Sequence, residues 1–174
     1  MEFELIDWKK VHKFTLDLSK KVKDEDFDII VGVLRGGIVP AILLSDILSK
    51  DVVAVRVKSY QGTHKLGQPR ILTPLCDLLE KKVLIVDDVC DTGETITILE
   101  SYLKMLGAKE VKKAVIVKKS KCRAKIDHWV IESDAWILFP WEVVELIKKG
   151  EESVKELLPR LLGEDVSNAL LGKG

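Results

Sequence analysis

Between residues 29 and 131 the apolar residues come in short, unbroken runs separated by charged or glycine-containing turns. Ile29-Ile30-Val31-Gly32-Val33, Val52 to Val57, Val83-Leu84-Ile85-Val86, Val111 to Val117 and His128 to Ile131 read as strands. A run that is apolar at both parities belongs to a strand covered on both faces, the habit of parallel sheets. The period between these runs is different. Trp8, Val11, Thr15, Leu18 and Val22 recur at helical spacing and predict a helix over 7–23, with Asp7 as its N-cap. Pro40 suits the first turn of a second helix running to about Ser49. A third ends near Leu106, with Gly107 as the residue that closes it. From Val143 to Leu171 the pattern is helical again, with Pro159 and Gly163 as expected breaks. Alternating strands and helices predict an α/β fold with a mostly parallel sheet. Residues 58–80 fit neither period. They form a long polar loop, read either as a functional lid or as a β-hairpin with an irregular tip.

Two strand ends carry candidate chemistry. Val83–Val86 runs into Asp87 and Asp88, then Val89-Cys90-Asp91-Thr92-Gly93-Glu94-Thr95 opens a helix. Parallel strands present ligands at their carboxyl ends. The first turn of a helix has unpaired N–H groups and partial positive charge, so residues 91–95 suit a phosphate. Thr92 and Thr95 can add hydroxyl donors, and Gly93 allows close approach. Asp87 and Asp88 are acceptors for which the vicinal hydroxyls of a sugar are natural donors. The plainer alternative makes Asp87 and Asp88 solvated strand-end residues and Asp91 a helix cap. The second strand end is Leu34-Arg35-Gly36-Gly37, leading into Ile38 and a helix. A guanidinium holds two oxygens in one plane, which suits diphosphate. A Gly-Gly turn alone is common.

Residues 83–95 resemble the phosphoribosyl pyrophosphate (PRPP) signature of the type I phosphoribosyltransferases, with Cys90 where an aliphatic residue is usual. The resemblance implies that Asp87 and Asp88 hold the ribose hydroxyls and that Asp91, Thr92, Gly93, Glu94 and Thr95 wrap the 5′-phosphate. Arg35, Gly36 and Gly37 resemble the family's pyrophosphate loop, which often contains a cis peptide. Ser59-Tyr60 resembles the opening of its flexible catalytic loop. Asp134-Ala135-Trp136, followed by Pro140-Trp141-Glu142, resembles the base-binding segment of bacterial xanthine-guanine phosphoribosyltransferases. Trp136 would then stack on the purine and the Ile137 backbone would meet its edge. Phe139 and Trp141 are expected in the core or a subunit interface. Lys118, with Lys119 as close rival, would donate to O6 of the base. Asp91 would be the general base or acid at purine N7. An acid there is typical of 6-oxopurine enzymes, whereas adenine and uracil enzymes and the pyrimidine regulators typically carry a non-acidic residue. Guanine, hypoxanthine or xanthine therefore outranks adenine.

The resemblance spans roughly residues 25–142. It implies a five-stranded parallel core flanked by helices, with a small hood built from terminal segments. A helical extension over 143–171 completes a single domain of 174 residues. The expected reaction is pentosyl transfer from PRPP to a purine with release of pyrophosphate. Mg²⁺ would be carried in by PRPP without a dedicated protein cage, and the enzyme would be a homodimer or homotetramer.

Composition narrows the alternatives. The 28 basic and 28 acidic residues cancel, which counts against a nucleic-acid binder and hence against a PRPP-sensing regulator of RNA or DNA. Retention of Arg35, Asp87, Asp88 and Asp91 counts against an inactive relative. No stretch has the length of a membrane span and Met1-Glu2-Phe3-Glu4 does not resemble a signal peptide, so the cytoplasm is expected. His12, beside the first helical stripe, is expected to be structural. Cys76, Cys90 and Cys122 show no Cys-x-x-Cys spacing, so neither a disulfide framework nor a zinc site is expected. Two glutamines and one asparagine against 32% charged residues resemble a thermophile composition.

Overall fold

The computed structural model describes residues 3–58, 70–73, 75 and 78–172. The expected loop opening, Ser59-Tyr60, lies outside the described residues. In chain order the elements are β1 (Phe3–Leu5), α1 (Trp8–Val22), β2 (Ile29–Leu34), α2 (Ile38–Leu48), β3 (Asp51–Lys58), β4 (Arg70–Ile71) and β5 (Lys82–Cys90). There follow α3 (Glu94–Met105), β6 (Glu110–Lys118), β7 (His128–Glu132), β8 (Trp136–Leu138), α4 (Val143–Lys148), α5 (Ser153–Leu162) and α6 (Glu164–Leu171). They fall into two compact units. Phe14–Ser133 form the larger; the two ends of the chain, Met1–Lys13 and Asp134–Gly174, form the smaller.

In the larger unit five parallel strands run in the order β3-β2-β5-β6-β7, and the two-residue β4 adds an antiparallel edge against β3. These are the strands that the apolar runs predict. Helical connections between β2 and β3 and between β5 and β6 make the parallel arrangement possible. Both faces are covered, as the runs require. On one face Val31, Val33, Val55, Val83, Ile85 and Val111 pack with Leu99 and Leu103 of α3. On the other, Ile30, Leu84, Val86 and Ala114 are fully buried, and α2 packs against β2 and β5. A Cβ on Gly32 would stand 2.7 Å from Ala41 Cβ, so this strand glycine is where α2 meets the sheet.

The helix termini follow their sequence signals. Asp7 Oδ1 accepts the Lys10 N–H at 2.7 Å, capping α1. Along α1, Val11, Thr15, Leu18 and Val22 are buried, but Trp8 is 45% exposed. The His12 ring lies 2.9 Å from the Trp8 carbonyl, a local contact within the helix. Gly107 takes the left-handed conformation just past α3.

The smaller unit holds what the apolar pattern does not reveal. β1 and β8 pair in parallel, Phe3 opposite Trp136 and Leu5 opposite Leu138. Leu138, Val143, Val154, Leu158 and Leu161 form its core, with Phe3 and Leu5 packed against it. Phe139 is fully buried and stacks on Trp141 at 4.5 Å. The helical tail is broken at Gly150 and Gly163, both left-handed in φ, and not at Pro159, which lies inside α5. An interior proline costs about 3 kcal/mol. Burying Val154, Leu158 and Leu161 on the same helix contributes about 1.5–3 kcal/mol each, enough to carry it.

Candidate active site

The strand order sets the site. From β2 the chain crosses through α2 to β3 on one side, and it resumes on the other side at β5. The loops after β2 and β5 therefore leave neighbouring strands at their carboxyl ends, at the switch point where ligands bind in open α/β sheets. They also touch. A Cβ on Gly36 would collide with the Asp88 carboxylate, and one on Gly37 would lie 2.7 Å from Asp87 Cα and from the Val86 carbonyl. Both glycines are thus dictated by close approach of this loop to the two carboxylates. The Leu34–Arg35 peptide is cis, and Arg35 is exposed beside it.

Asp87 and Asp88 lie where pairing to β2 ends, at Gly32 opposite Val86. The apolar run predicts that they end the strand; β5 instead continues to Cys90. On its other edge β5 continues beside β6, with Asp87 opposite Val115, Val89 opposite Val117 and Cys90 opposite Lys118. The pairing skips Asp88, whose N–H is instead donated to Asp87 Oδ1 at 3.0 Å. Asp88 Oδ1 accepts the Val89 N–H at 2.8 Å. Asp87 is 9% exposed. Burial first, and then the neighbouring Asp88 charge, push its carboxyl well above the usual carboxylate range.

Past Cys90 the turn opens α3. Asp87 and residues 89–96 line a cavity of about 80 Å³, several times the roughly 10–15 Å³ that one water needs. Gly93 has φ of 88° and precedes the helix. A Cβ there would also stand 2.7 Å from the Ala124 amide nitrogen. Glu94 N–H points at Thr92 Oγ1 at 3.4 Å, a long contact. Asp91, Thr92 and Glu94 are exposed and can meet a ligand.

The loop after β6 is laid along this turn. Lys119 N–H donates to the Cys90 carbonyl and Arg123 N–H to the Thr92 carbonyl, both at 3.0 Å. Lys121 Nζ lies 2.9 Å from Asp91 Oδ1. Cys90 and Cys122 are joined by a disulfide with Cα atoms 5.8 Å apart. The expectation of no disulfide is therefore corrected. The cysteines are 32 residues apart in sequence and meet because Cys90 ends β5 and Cys122 lies in the loop just past its parallel neighbour β6, a relation that no local spacing encodes. The signal was a cysteine where the resembling family has an aliphatic residue, matched by another just past the next strand.

Of the expected base-binding residues, Lys118 ends β6 in this unit. Its Nζ lies 3.8 Å from Glu132 and 4.1 Å above the Trp129 ring. Lys119 follows it, half-buried. Trp136 and Ile137 belong to the smaller unit, on β8. Trp136 is 48% exposed and Ile137 is 6% exposed. Among the described residues no group of three or more His, Cys, Asp or Glu is arranged to hold a metal ion. No helix among them is long and apolar enough to cross a membrane.

Comparison with known proteins bears on the same region. Residues 7–147 match the phosphoribosyl transferase domain family. A xanthine-guanine phosphoribosyltransferase of Desulfotalea psychrophila is 30% identical over 141 residues, covering 79% of this chain and 84% of its own. A xanthine-guanine phosphoribosyltransferase of Idiomarina loihiensis is 29% identical, over 79% of this chain and 86% of its own. Among solved structures, a purine phosphoribosyltransferase from Pyrococcus horikoshii superposes with a TM-score of 0.74 at 38% identity, covering 81% of this chain and 95% of that one. A parallel sheet with both loops at its switch point, an Asp-Asp pair against a glycine turn and a match over most of the length lead to one conclusion: the chain belongs to the phosphoribosyl transferase domain family.

Proposed function

We propose that this protein is a purine salvage enzyme that moves 5-phosphoribose from PRPP to guanine, hypoxanthine or xanthine, releasing pyrophosphate. The observation that carries the reading is the fit of Gly36 and Gly37 against Asp88 and Asp87. On this reading the glycine turn takes the diphosphate, the two carboxylates beside it take the sugar, and the 91–95 turn is next in line. These are the three parts of PRPP in their covalent order. The names of the relatives support the choice of base.

On this reading residues 91–95 bind the 5′-phosphate through backbone N–H groups, and Asp87 and Asp88 accept from the ribose hydroxyls. Arg35, Gly36 and Gly37 hold the diphosphate. The adjacent carboxylates are hard oxygen donors, and they fit a Mg²⁺ ion that keeps most of its ligands from water and phosphate. When bound, that ion would neutralise charge on the diphosphate. The reacting sugar carbon gains positive character, so the protein's task is to align base and sugar and to exclude water. Asp91 takes or gives the proton at purine N7. Lys118 or Lys119 donates to O6, Trp136 offers a flat face to the base, and the Ile137 backbone meets its edge.

The compartment we infer is the cytoplasm, where PRPP is used. Self-association as a homodimer or homotetramer belongs to the same reading, and exposed Ile42 and Ile47 on α2 supply apolar surface for it. The direct test is incubation with PRPP, Mg²⁺ and each base in turn, with nucleotide and pyrophosphate both quantified. Equimolar nucleotide and pyrophosphate with a 6-oxopurine is the expected result. No nucleotide with any of the three overturns the reading.

A further inference from the structure

We propose that the Cys90–Cys122 disulfide is a reducible clamp that holds Lys121 against Asp91, and that Lys121 is a positioning residue for the Asp91 carboxylate. The inference rests on the role given to Asp91 above. The cross-link joins residues 90 and 122, and the ion pair joins their immediate neighbours, 91 and 121. Backbone bonds from Lys119 to Cys90 and from Arg123 to Thr92 complete the tie, and Ala124 abuts Gly93.

The clamp matters because the pair is exposed. The side chains of Lys121 and Asp91 are 60% and 54% accessible. An exposed pair holds weakly when two flexible chains must be ordered to make it. Here the backbone at both partners is fixed one residue away, so only the two side chains remain to be ordered when the pair forms. Asp91 would otherwise be free to turn toward solvent. A misplaced proton-transfer group loses rate even though it retains its chemistry.

The bond is also placed to be opened. Cys90 is 1% exposed, whereas Cys122 is partly exposed. The thiolate of an added dithiol attacks Cys122 Sγ, and Cys90 leaves as a thiolate and takes up a proton. The second thiol then displaces Cys122, which leaves two protein thiols and an oxidised, cyclic dithiol.

The test compares oxidised protein, protein reduced by dithiothreitol with its thiols counted, and the variants Lys121→Met, Lys121→Arg and Cys122→Ser, all well below their melting temperatures. Reduction, Cys122→Ser and Lys121→Met should each lower kcat about tenfold, with KM for PRPP changed less. Reduction of Lys121→Met should cost no further activity, because both changes remove the same contact. Lys121→Arg should keep most of the rate. A reduced wild type with kcat within twofold of the oxidised protein overturns the proposal, as do losses that multiply between reduction and Lys121→Met. Hydrogen exchange over residues 90–95 without substrate reads the clamp independently of catalysis. It should be faster in reduced protein, and equal exchange in both states overturns the clamp. Failure of the transferase reading looks different: oxidised wild type makes no nucleotide at all.

Discussion

At the residue scale, the two carboxylates of the Asp-Asp pair differ in what surrounds them. Asp87 is buried, beside a like charge, and its carboxyl titrates well above the usual range. A carboxyl whose folded pKa is raised contributes stability below its unfolded value, near 3.9, and that contribution is lost as pH rises through the folded value. At neutral pH, where the unfolded carboxyl is ionised, burying Asp87 therefore costs the free protein stability. Asp87→Asn should raise Tm at pH 7 while weakening PRPP binding, and a melting curve beside a binding titration reads both. An Asn variant that melts lower at pH 7 contradicts the account. Hydroxyl donors and a cation favour the ionised form, so PRPP binding with Mg²⁺ should release a proton at any pH where free Asp87 is protonated. Calorimetry in buffers of different ionisation enthalpy detects it. Asp91→Asn should leave the fold and PRPP binding intact and cut turnover by about 10²- to 10⁴-fold, the usual range for one acid–base group. Turnover near wild type would remove Asp91 from proton transfer. The types and order of these residues were legible in the sequence. The burial difference between Asp87 and Asp88 was not, because it depends on where β2 stops pairing.

At the element scale, each parallel strand was legible because burial on both faces writes an unbroken apolar run. β5 was placed within a residue at its start and misjudged at its end, since pairing to β6 holds Asp87 and Cys90 in the sheet after the apolar run has stopped. The disulfide from the last residue of β5 to the loop after β6 was invisible for a similar reason: it records strand adjacency. A cross-link of this kind contributes roughly 2–4 kcal/mol, largely through the unfolded chain. Reduction should therefore lower Tm by roughly 5–15 °C, which differential calorimetry with and without dithiol measures. An unchanged Tm would mean that the bond carries no stability. Pro159 was misread because a local rule about prolines was applied to a helix held by its buried leucines.

At the scale of the whole molecule, the mostly parallel sheet follows from the alternation of apolar runs and helical stretches, but the strand order that makes its switch point and the smaller unit do not. β1 and β8 are three residues each, too short to show a period, and Phe3 pairs with Trp136 far along the chain. The lysine at the end of β6 joins this fold to the proposed substrate class. A lysine ammonium has only donors, and it complements O6 of guanine, hypoxanthine or xanthine. Adenine presents an amino group at that position, so donor would face donor. Each buried polar group left unpaired costs about 1–3 kcal/mol. Lys118 now spends its charge on exposed Glu132 and the face of Trp129, contacts weak enough to exchange for a base. The decisive measurement is kcat/KM for adenine against the best 6-oxopurine, in wild type, Lys118→Ala and Lys119→Ala. The account predicts a wild-type preference on the order of 10³-fold or more for the 6-oxopurine, collapsing in whichever alanine variant has lost the donor. Adenine used within about tenfold of the best 6-oxopurine by the wild type would contradict it.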